Sequence, residues 1–368
     1  MKKTALFSFF LLSSLSIFAE DYQYDKLCKG SEGNCRPPQF VHMAFDGCQP
    51  VSMWWKTRSF AKEYGVDFTY FVSGVYLLTK NDRDDFSSLN YVSPTLGAGK
   101  SRIGFAESKK DITDRYRHMA LAHRDGHEIA SHGMGHFYGG APNRWTEKNE
   151  GSARPQDWNV EEWKSELSQT KKFLTRGYFL LPDILKGLGL PEPSQVGQSI
   201  LAGIIGFRAP QLSVNDSLRP ALRESGHKYD TSMQSGSRVW PSKDKNGIWN
   251  FPLALIPVQG VKGNVTAMDY NMEAKKISAQ TAIDAYVAHF MKSYKSNRAP
   301  VHFGHHFTAY GGKIKGDPKY WYVLKEVTKR ICHLPEVRCT SFRNLEKFLS
   351  TTPLQEIKRF SRGKFPKN

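Results

Sequence analysis

The run His127-Glu128-Ile129-Ala130-Ser131-His132-Gly133-Met134-Gly135-His136 places three histidines and a glutamate within ten residues. Imidazole nitrogens are common ligands for divalent metals. A zinc-protease H-E-x-x-H pattern needs its histidines four apart on one helical face. Counting from His127, the next histidine comes five residues on, so that pattern fails; His132 and His136 have the four-residue spacing, with Gly133 and Gly135 between them. Each glycine costs a helix about 1 kcal/mol relative to alanine. The stretch therefore reads as the end of a buried strand, "HEIAS", followed by a turn, "HGMGH". His132 and His136 become the candidate metal pair, while His127 and Glu128 stay in the strand. Asp46 after "HMAF", Arg208 after "IIGF" and His306 in "HFGHHF" add a carboxylate, a cation and an acid. Two neutral imidazoles and a carboxylate can hold a metal with positions left open for water and substrate. Such a metal brings the pKa of bound water toward about 7. A carboxylate base and a histidine acid, each contributing roughly 10²-fold to 10⁴-fold, complete an amide or ester hydrolysis.

Strand-like runs carry these residues at their carboxyl ends: "QFVHMAF", "VDFTYFVSG", "GHEIASH", "AGIIGFRAP", "GIWNFPLALI", "APVHFGHHF" and "EVRCTSF". Helix-like runs alternate with them: "SMWWKTRSFAKEYG", "DITDRYRHMALAHRDG", "NVEEWKSELSQTKKFLTRG", "NDSLRPALRESG", "AQTAIDAYVAHFMKSYKS" and "PKYWYVLKEVTKRICHL". Alternation of this kind implies a parallel sheet, and this number of units suggests an α/β chain folded as a single distorted (β/α) barrel. Chemistry in parallel barrels gathers at the carboxyl ends of the strands. The polar stretches 75–108 and 137–157 read as long loop insertions suited to binding.

The amino terminus has Lys2 and Lys3, an apolar run and then Ile17-Phe18-Ala19, the pattern of a signal peptide over residues 1–19. The mature chain is expected to be exported, periplasmic or secreted, and soluble. Its formal charge falls from +17 to +15 with the loss of the two lysines. That balance favours an anionic polymer or envelope surface as partner, and export argues against nucleic acid. Five cysteines allow two disulfides and one thiol. Local Cys28–Cys35 and Cys332–Cys339 bridges are the simplest arrangement, leaving Cys48. Residues 20–38 form a cysteine-containing segment, 39–350 the main domain and 351–368 a basic tail. Trp145, Trp158 and Trp163 border the second long loop, with Trp163 at a core position of a helical pattern. Trp54 and Trp55 are expected to include a core residue at the start of the first helix, and one near Asp46 would suit stacking on a sugar.

In order, "AFDG", "HGMGH", "FRAP", "YDTS" and "HFGHHF" resemble the five signature motifs of the polysaccharide deacetylases, carbohydrate esterase family 4, across Phe40 to Phe348. "RAPVHFGHHF" and "CKGSEGNCRPPQFV" are most similar to its chitin-deacetylase-like branch. The resemblance implies a divalent metal, zinc first, held by His132 and His136. It implies Arg208 orienting the catalytic carboxylate, Asp230 tethering Arg208, and His306 as general acid, ahead of His302 and His305. Gln211 stands where the family has a tyrosine whose backbone N–H helps to bind an oxyanion, a donor worth about 10² to 10³ in rate. The family's first motif reads T-F-D-D, whereas this chain reads Ala44-Phe45-Asp46-Gly47. One alignment makes Asp46 the base and leaves Gly47 at the metal-carboxylate position; sliding by one makes Asp46 the ligand. The implied activity is removal of acetyl groups from N-acetylhexosamines by a monomer, with peptidoglycan the first substrate and chitin oligosaccharides or O-acetyl glycans the alternatives. A saccharide-binding pseudoenzyme is the reading from a different class.

Overall fold

The structure is a computed structural model that describes residues 21–28, 33–83, 99, 101–140, 157–308, 312–314 and 316–366. The signal-peptide segment, Trp145 and much of both long loops lie outside these residues. The central sheet is built from β1 (Gln39–Gly47), β2 (Thr69–Val72), β3 (Glu128–Ser131), β4 (Gly206–Phe207) and β5 (Tyr229–Asp230). β6 (Gln234–Ser235), β9 (Leu253–Pro257) and β10 (Asn264–Thr266) form a second sheet, while β7 (Ser242–Lys243) and β8 (Trp249–Asn250) extend the first. β11 (Val301–His306) closes the central order as β11-β1-β2-β3-β4-β5-β8-β7. A short hairpin, β12 (Lys313–Ile314) with β13 (Asp317–Pro318), precedes β14 (Val337–Cys339), which pairs with the first half of β1. Pairing in the central sheet is parallel except between β7 and β8. The result is the distorted, incompletely closed (β/α) barrel that the alternation predicts.

β1 is the axis of this arrangement. All of its residues but Gly47 are buried, as expected for a parallel strand covered on both faces. The helices predicted from sequence form at Val51–Tyr64, Lys109–Arg124, Val160–Leu180, Leu218–Glu224, Ala279–Tyr294 and Lys319–Ile331. Local chemistry sets their ends. Asn159 and Glu162 form a reciprocal capping box at the start of Val160–Leu180. Gly65, at φ 61°, ends Val51–Tyr64 in the left-handed conformation. The expected single strand "GIWNFPLALI" is two strands in two sheets. Pro252 has no N–H to give to a ladder, so the chain leaves the central sheet there and β9 pairs instead with β6 and β10.

Glu128 is a structural residue of the strand. Its buried carboxylate accepts from Thr69 Oγ1 (3.0 Å), Tyr229 Oη (2.9 Å) and the Arg343 N–H (2.8 Å), stapling β2, β3, β5 and the helix Phe342–Thr351. His127 is also structural, its Nδ1 accepting the Phe68 N–H at 3.1 Å. Both local disulfides, Cys28–Cys35 and Cys332–Cys339, are present, and Cys48 is a buried thiol. The segment after residue 350 is folded. Helix Leu354–Ser361 buries Ile357 and Phe360, and Arg359 joins Glu356 to the Cys35 carbonyl. Among the described residues no helix is long and apolar enough to cross a membrane.

His289, buried on helix Ala279–Tyr294, has neither ring nitrogen hydrogen-bonded, and burial pushes its pKa down to about 4. The unfolded ring takes a proton near 6.5 and the folded one does not, so stability is lost as pH falls from about 6.5 toward 4. His289→Leu should therefore stabilise the fold by about 1 kcal/mol at pH 7, by removing unsatisfied buried polar atoms. The gain should be larger at pH 4.5; urea unfolding at the two pH values measures it.

Candidate active site

β1 and β11 run parallel in a register that makes Asp46 and His306 cross-strand partners. Their side chains therefore leave the sheet on the same face at its carboxyl end, one strand spacing apart. Asp46 is 5% exposed and its Oδ1 accepts from Arg208 Nη1 at 2.8 Å. Arg208 is wholly buried, lies over the Phe71 ring at 4.5 Å, and donates Nε–H to Thr231 Oγ1 at 2.6 Å. Burial pushes the Asp46 carboxyl up, but the fields of Arg208, His132 and His306 together outweigh it, so the pKa falls below the ordinary value and Asp46 is ionised at neutral pH.

Asp230 does not touch Arg208 in the expected way. Its Oδ1 accepts the Ser232 N–H (2.9 Å) and hydroxyl, and its Oδ2 faces Arg219 Nη2 at 3.0 Å. The direct tether is Thr231, the next residue of the same motif. Strand alternation explains the exchange: β5 ends at Asp230, and Thr231 continues it on the other side of the chain. Asp230 instead shapes the loop by binding Ser232, whose hydroxyl accepts the Ala209 N–H at 2.8 Å.

His306 is held by a residue that the sequence reading missed. Asp269, 1% exposed, accepts the His306 N–H with Oδ2 and the ring Nδ1–H with Oδ1, both at 2.7 Å. Because a carboxylate only accepts, Nδ1 carries the proton and Nε2 is the atom presented outward. The Tyr270 ring stands edge-on to the imidazole at 4.1 Å, limiting its rotation. Asp269 lies 37 residues before His306 and belongs to no motif. The bridge between Met268 and Gly304 brings it alongside β11. The rival histidines are accounted for. His302 is two repeats deeper on the same face, with Nδ1 on the Pro252 carbonyl at 3.0 Å and its ring against His42 at 5.2 Å. His305 faces the opposite way, near Phe45 and Tyr286.

The turn after β3 brings His132 and His136 together, with ring centroids 5.2 Å apart. Gly133 at φ 72° lets the chain reverse, and His136 itself sits at φ 58°, uncommon for a residue with a Cβ. Backbone bonds from Gly74 and Val75 to the carbonyls of Gly133 and Met134 hold the turn, and Glu166 accepts the Met134 N–H at 2.5 Å. The Arg208 carbonyl accepts a hydrogen bond from His132 Nδ1–H at 2.8 Å, leaving the Nε2 lone pair free for a ligand. His136 Nδ1 is buried without a hydrogen-bond partner. Burial lowers the pKa of His132 to about 4 and that of His136 well below its ordinary value, so both rings are neutral. Neutral imidazoles with unused lone pairs fit a metal.

The expected three-residue set of His132, His136 and Asp46 is a different matter. Among the described residues no group of three His, Cys, Asp or Glu side chains is arranged to hold a metal ion. The physical reason is that Asp46 is committed to Arg208, while the next position is Gly47, at φ 81° with no side chain to offer. Gln211, at φ 55°, lies in the short turn Pro210–Leu212 that follows Arg208. Trp54 is fully buried with Nε1 on the Cys48 carbonyl at 3.1 Å, whereas Trp55 is 64% exposed. Trp158 and Trp163 pack on each other in the core. Stripping one partner from the Asp46–Arg208 pair strands a buried charge, so Arg208→Met should cost about 3–5 kcal/mol. Adding Asp46→Asn should recover most of that loss, and urea unfolding of the two single variants and the double variant reads the coupling.

No family model matches the chain, and no curated protein matches it. Among solved structures, the chain is similar to a Mycobacterium smegmatis protein assigned as a polysaccharide deacetylase, at 14% identity and a TM-score of 0.48, covering 85% of this chain and 90% of that one. It is similar also to the Xyl-CE4 domain of a multidomain xylanase from the hindgut metagenome of Trinervitermes trinervoides. That match has 12% identity, a TM-score of 0.41 and coverage of 84% and 91%. A pseudoenzyme of the CE4 family from Bacillus anthracis follows at 7% identity and a TM-score of 0.43, with coverage of 84% and 66%.

Proposed function

We propose that the chain is a hydrolase that removes acetyl groups from N-acetylhexosamine residues of an exported glycan, with peptidoglycan as its first substrate. The observation that carries this reading is the pairing of Asp46 and His306 across β1 and β11, each held by its own buried orienting partner. An ionised carboxylate and a histidine side by side are the base and acid that amide hydrolysis needs. The two local disulfides support export to an oxidising compartment.

In this mechanism Asp46 takes a proton from the water that attacks the acetamide carbonyl. Arg208 fixes the direction from which the carboxylate accepts it. His306, acting with both ring nitrogens protonated, delivers its Nε2 proton to the nitrogen as the C–N bond breaks, so acetate and a free amine leave; the proton that Asp46 took from the water then restores the ring through solvent. Asp269, accepting from Nδ1–H, holds the ring so that Nε2 points toward that nitrogen. His132 and His136 would hold a divalent metal, zinc first. When bound, the metal supplies a Lewis acid for the carbonyl and lowers the pKa of water.

Gly47 favours a second reading, a glycan-binding protein without turnover, because a two-histidine site with no carboxylate holds metal weakly. One set of measurements separates the two: acetate released from an N-acetylated oligosaccharide, with zinc content measured on the same samples. For the hydrolase, His306→Asn should lower the rate about 10²-fold to 10⁴-fold while zinc content stays unchanged. Asp46→Asn should do the same if Asp46 is the base, and should lose zinc if it is a ligand. Gly47→Asp should raise zinc affinity, since aspartate tolerates a left-handed backbone better than most residues do. Glycan binding with neither zinc nor acetate release in the wild type would leave only the binding reading.

A further inference from the structure

A second feature lies away from this chemistry. Three segments distant in sequence meet at a groove of about 520 Å³: Ser237-Arg238, Lys295-Ser296-Asn297 and Ser361-Arg362-Gly363. The middle segment lies just before β11, whose far end carries His306, so the groove is at the amino-terminal end of the barrel. Each segment contributes one cation. Arg238, Lys295 and Arg362 are all exposed, and none forms an ion pair with an acidic side chain among the described residues.

The walls are joined by one side chain. Asn297 Nδ2 donates to the Arg238 carbonyl at 2.9 Å and to the Ser361 carbonyl at 3.1 Å. The Asn297 carbonyl in turn accepts the Trp240 indole N–H at 2.9 Å, which anchors the clamp to the core. Arg238 is held at φ 64° and Gly363 at φ 65°, so both outer segments turn sharply where they meet the clamp. Ser296 and Ser361 spend their hydroxyl protons on the carbonyls of Lys292 and Lys358, which leaves recognition to the cations.

We propose that this groove is a binding site for a phosphate ester. Three cations lining one groove, one from each segment, match a group with several charged acceptor oxygens better than a carboxylate, which has two. The volume leaves room for the alcohol that carries the phosphate. A soluble glycerol-phosphate polymer and a lipid headgroup share this chemistry. Either would hold the amino-terminal end of the barrel against an anionic envelope and leave the Asp46–His306 end facing away from it.

The test is calorimetric titration of the full chain with glycerol 1-phosphate at low salt, repeated with the triple variant Arg238→Ala/Lys295→Ala/Arg362→Ala. A control triple variant, Lys62→Ala/Lys172→Ala/Lys275→Ala, removes the same charge elsewhere on the surface. Saturable binding that falls at least tenfold in the groove variant and less than twofold in the control supports the site. Asn297→Ala should also weaken binding several-fold although it removes no charge, with circular dichroism checking that the fold is kept. Flotation with vesicles of phosphatidylglycerol in phosphatidylcholine, beside pull-down on poly(glycerol phosphate), identifies the source by which one depends on the groove residues. No saturable binding, or equal losses in the groove and control variants, would overturn the proposal.

Discussion

The buried ion pair between Asp46 and Arg208 organises the carboxyl end of the barrel. It joins the first strand of the sheet to the segment after β4, two strands that are not neighbours, through a 2.8 Å contact with both side chains almost fully buried. Taking two charges out of water costs several kcal/mol each, and mutual attraction offsets this only when geometry is good and other hydrogen bonds fill in. Thr231 supplies one such bond, the Phe71 ring provides a face for the guanidinium, and the Arg208 carbonyl sets the tautomer of His132. One residue thus positions the candidate base through its side chain and a candidate metal ligand through its backbone.

Several strained backbone positions lie at the same end. Cys48, His136, Gln211 and Leu212 have side chains yet occupy positive φ, each just past the end of a strand or the motif that follows it. Such conformations cost of order 1–3 kcal/mol each and persist where the surroundings over-determine them. Here the buried β1, the stapling carboxylate of Glu128 and the Gly133–Gly74 backbone bond provide that support. His136 illustrates the exchange: a left-handed backbone is accepted, and its ring is brought to 5.2 Å from that of His132.

The groove that Asn297 clamps has a different construction. Its cations are exposed and form no ion pair among the described residues, whereas Asp46 and Arg208 are buried and paired. Charges left in water attract large anionic partners over a Debye length, and charges taken out of water position small groups with precision. The two ends of the barrel are therefore suited to separate tasks.

Sequence alone determined the alternation of strands and helices, because β-strand and helix periodicities are local properties of ten to twenty residues. It also determined the turn at "HGMGH", from the two glycines, and made the local disulfides the simplest pairing, which the structure then decided. It marked Asp46, Arg208 and His306 as chemistry-bearing residues because each directly follows or ends an apolar run. Tertiary structure alone decided which partner each would have. Thr231 replaced Asp230 as the tether because side chains alternate across a strand, a one-residue matter that the motif does not resolve. Asp269 and Asn297 had no signal in the sequence, since each acts on residues brought near by the closing of the barrel. The same holds for the metal set: Gly47 was visible as a missing carboxylate, but only the fold committed Asp46 to Arg208, because a buried guanidinium must be neutralised by the nearest carboxylate it can reach.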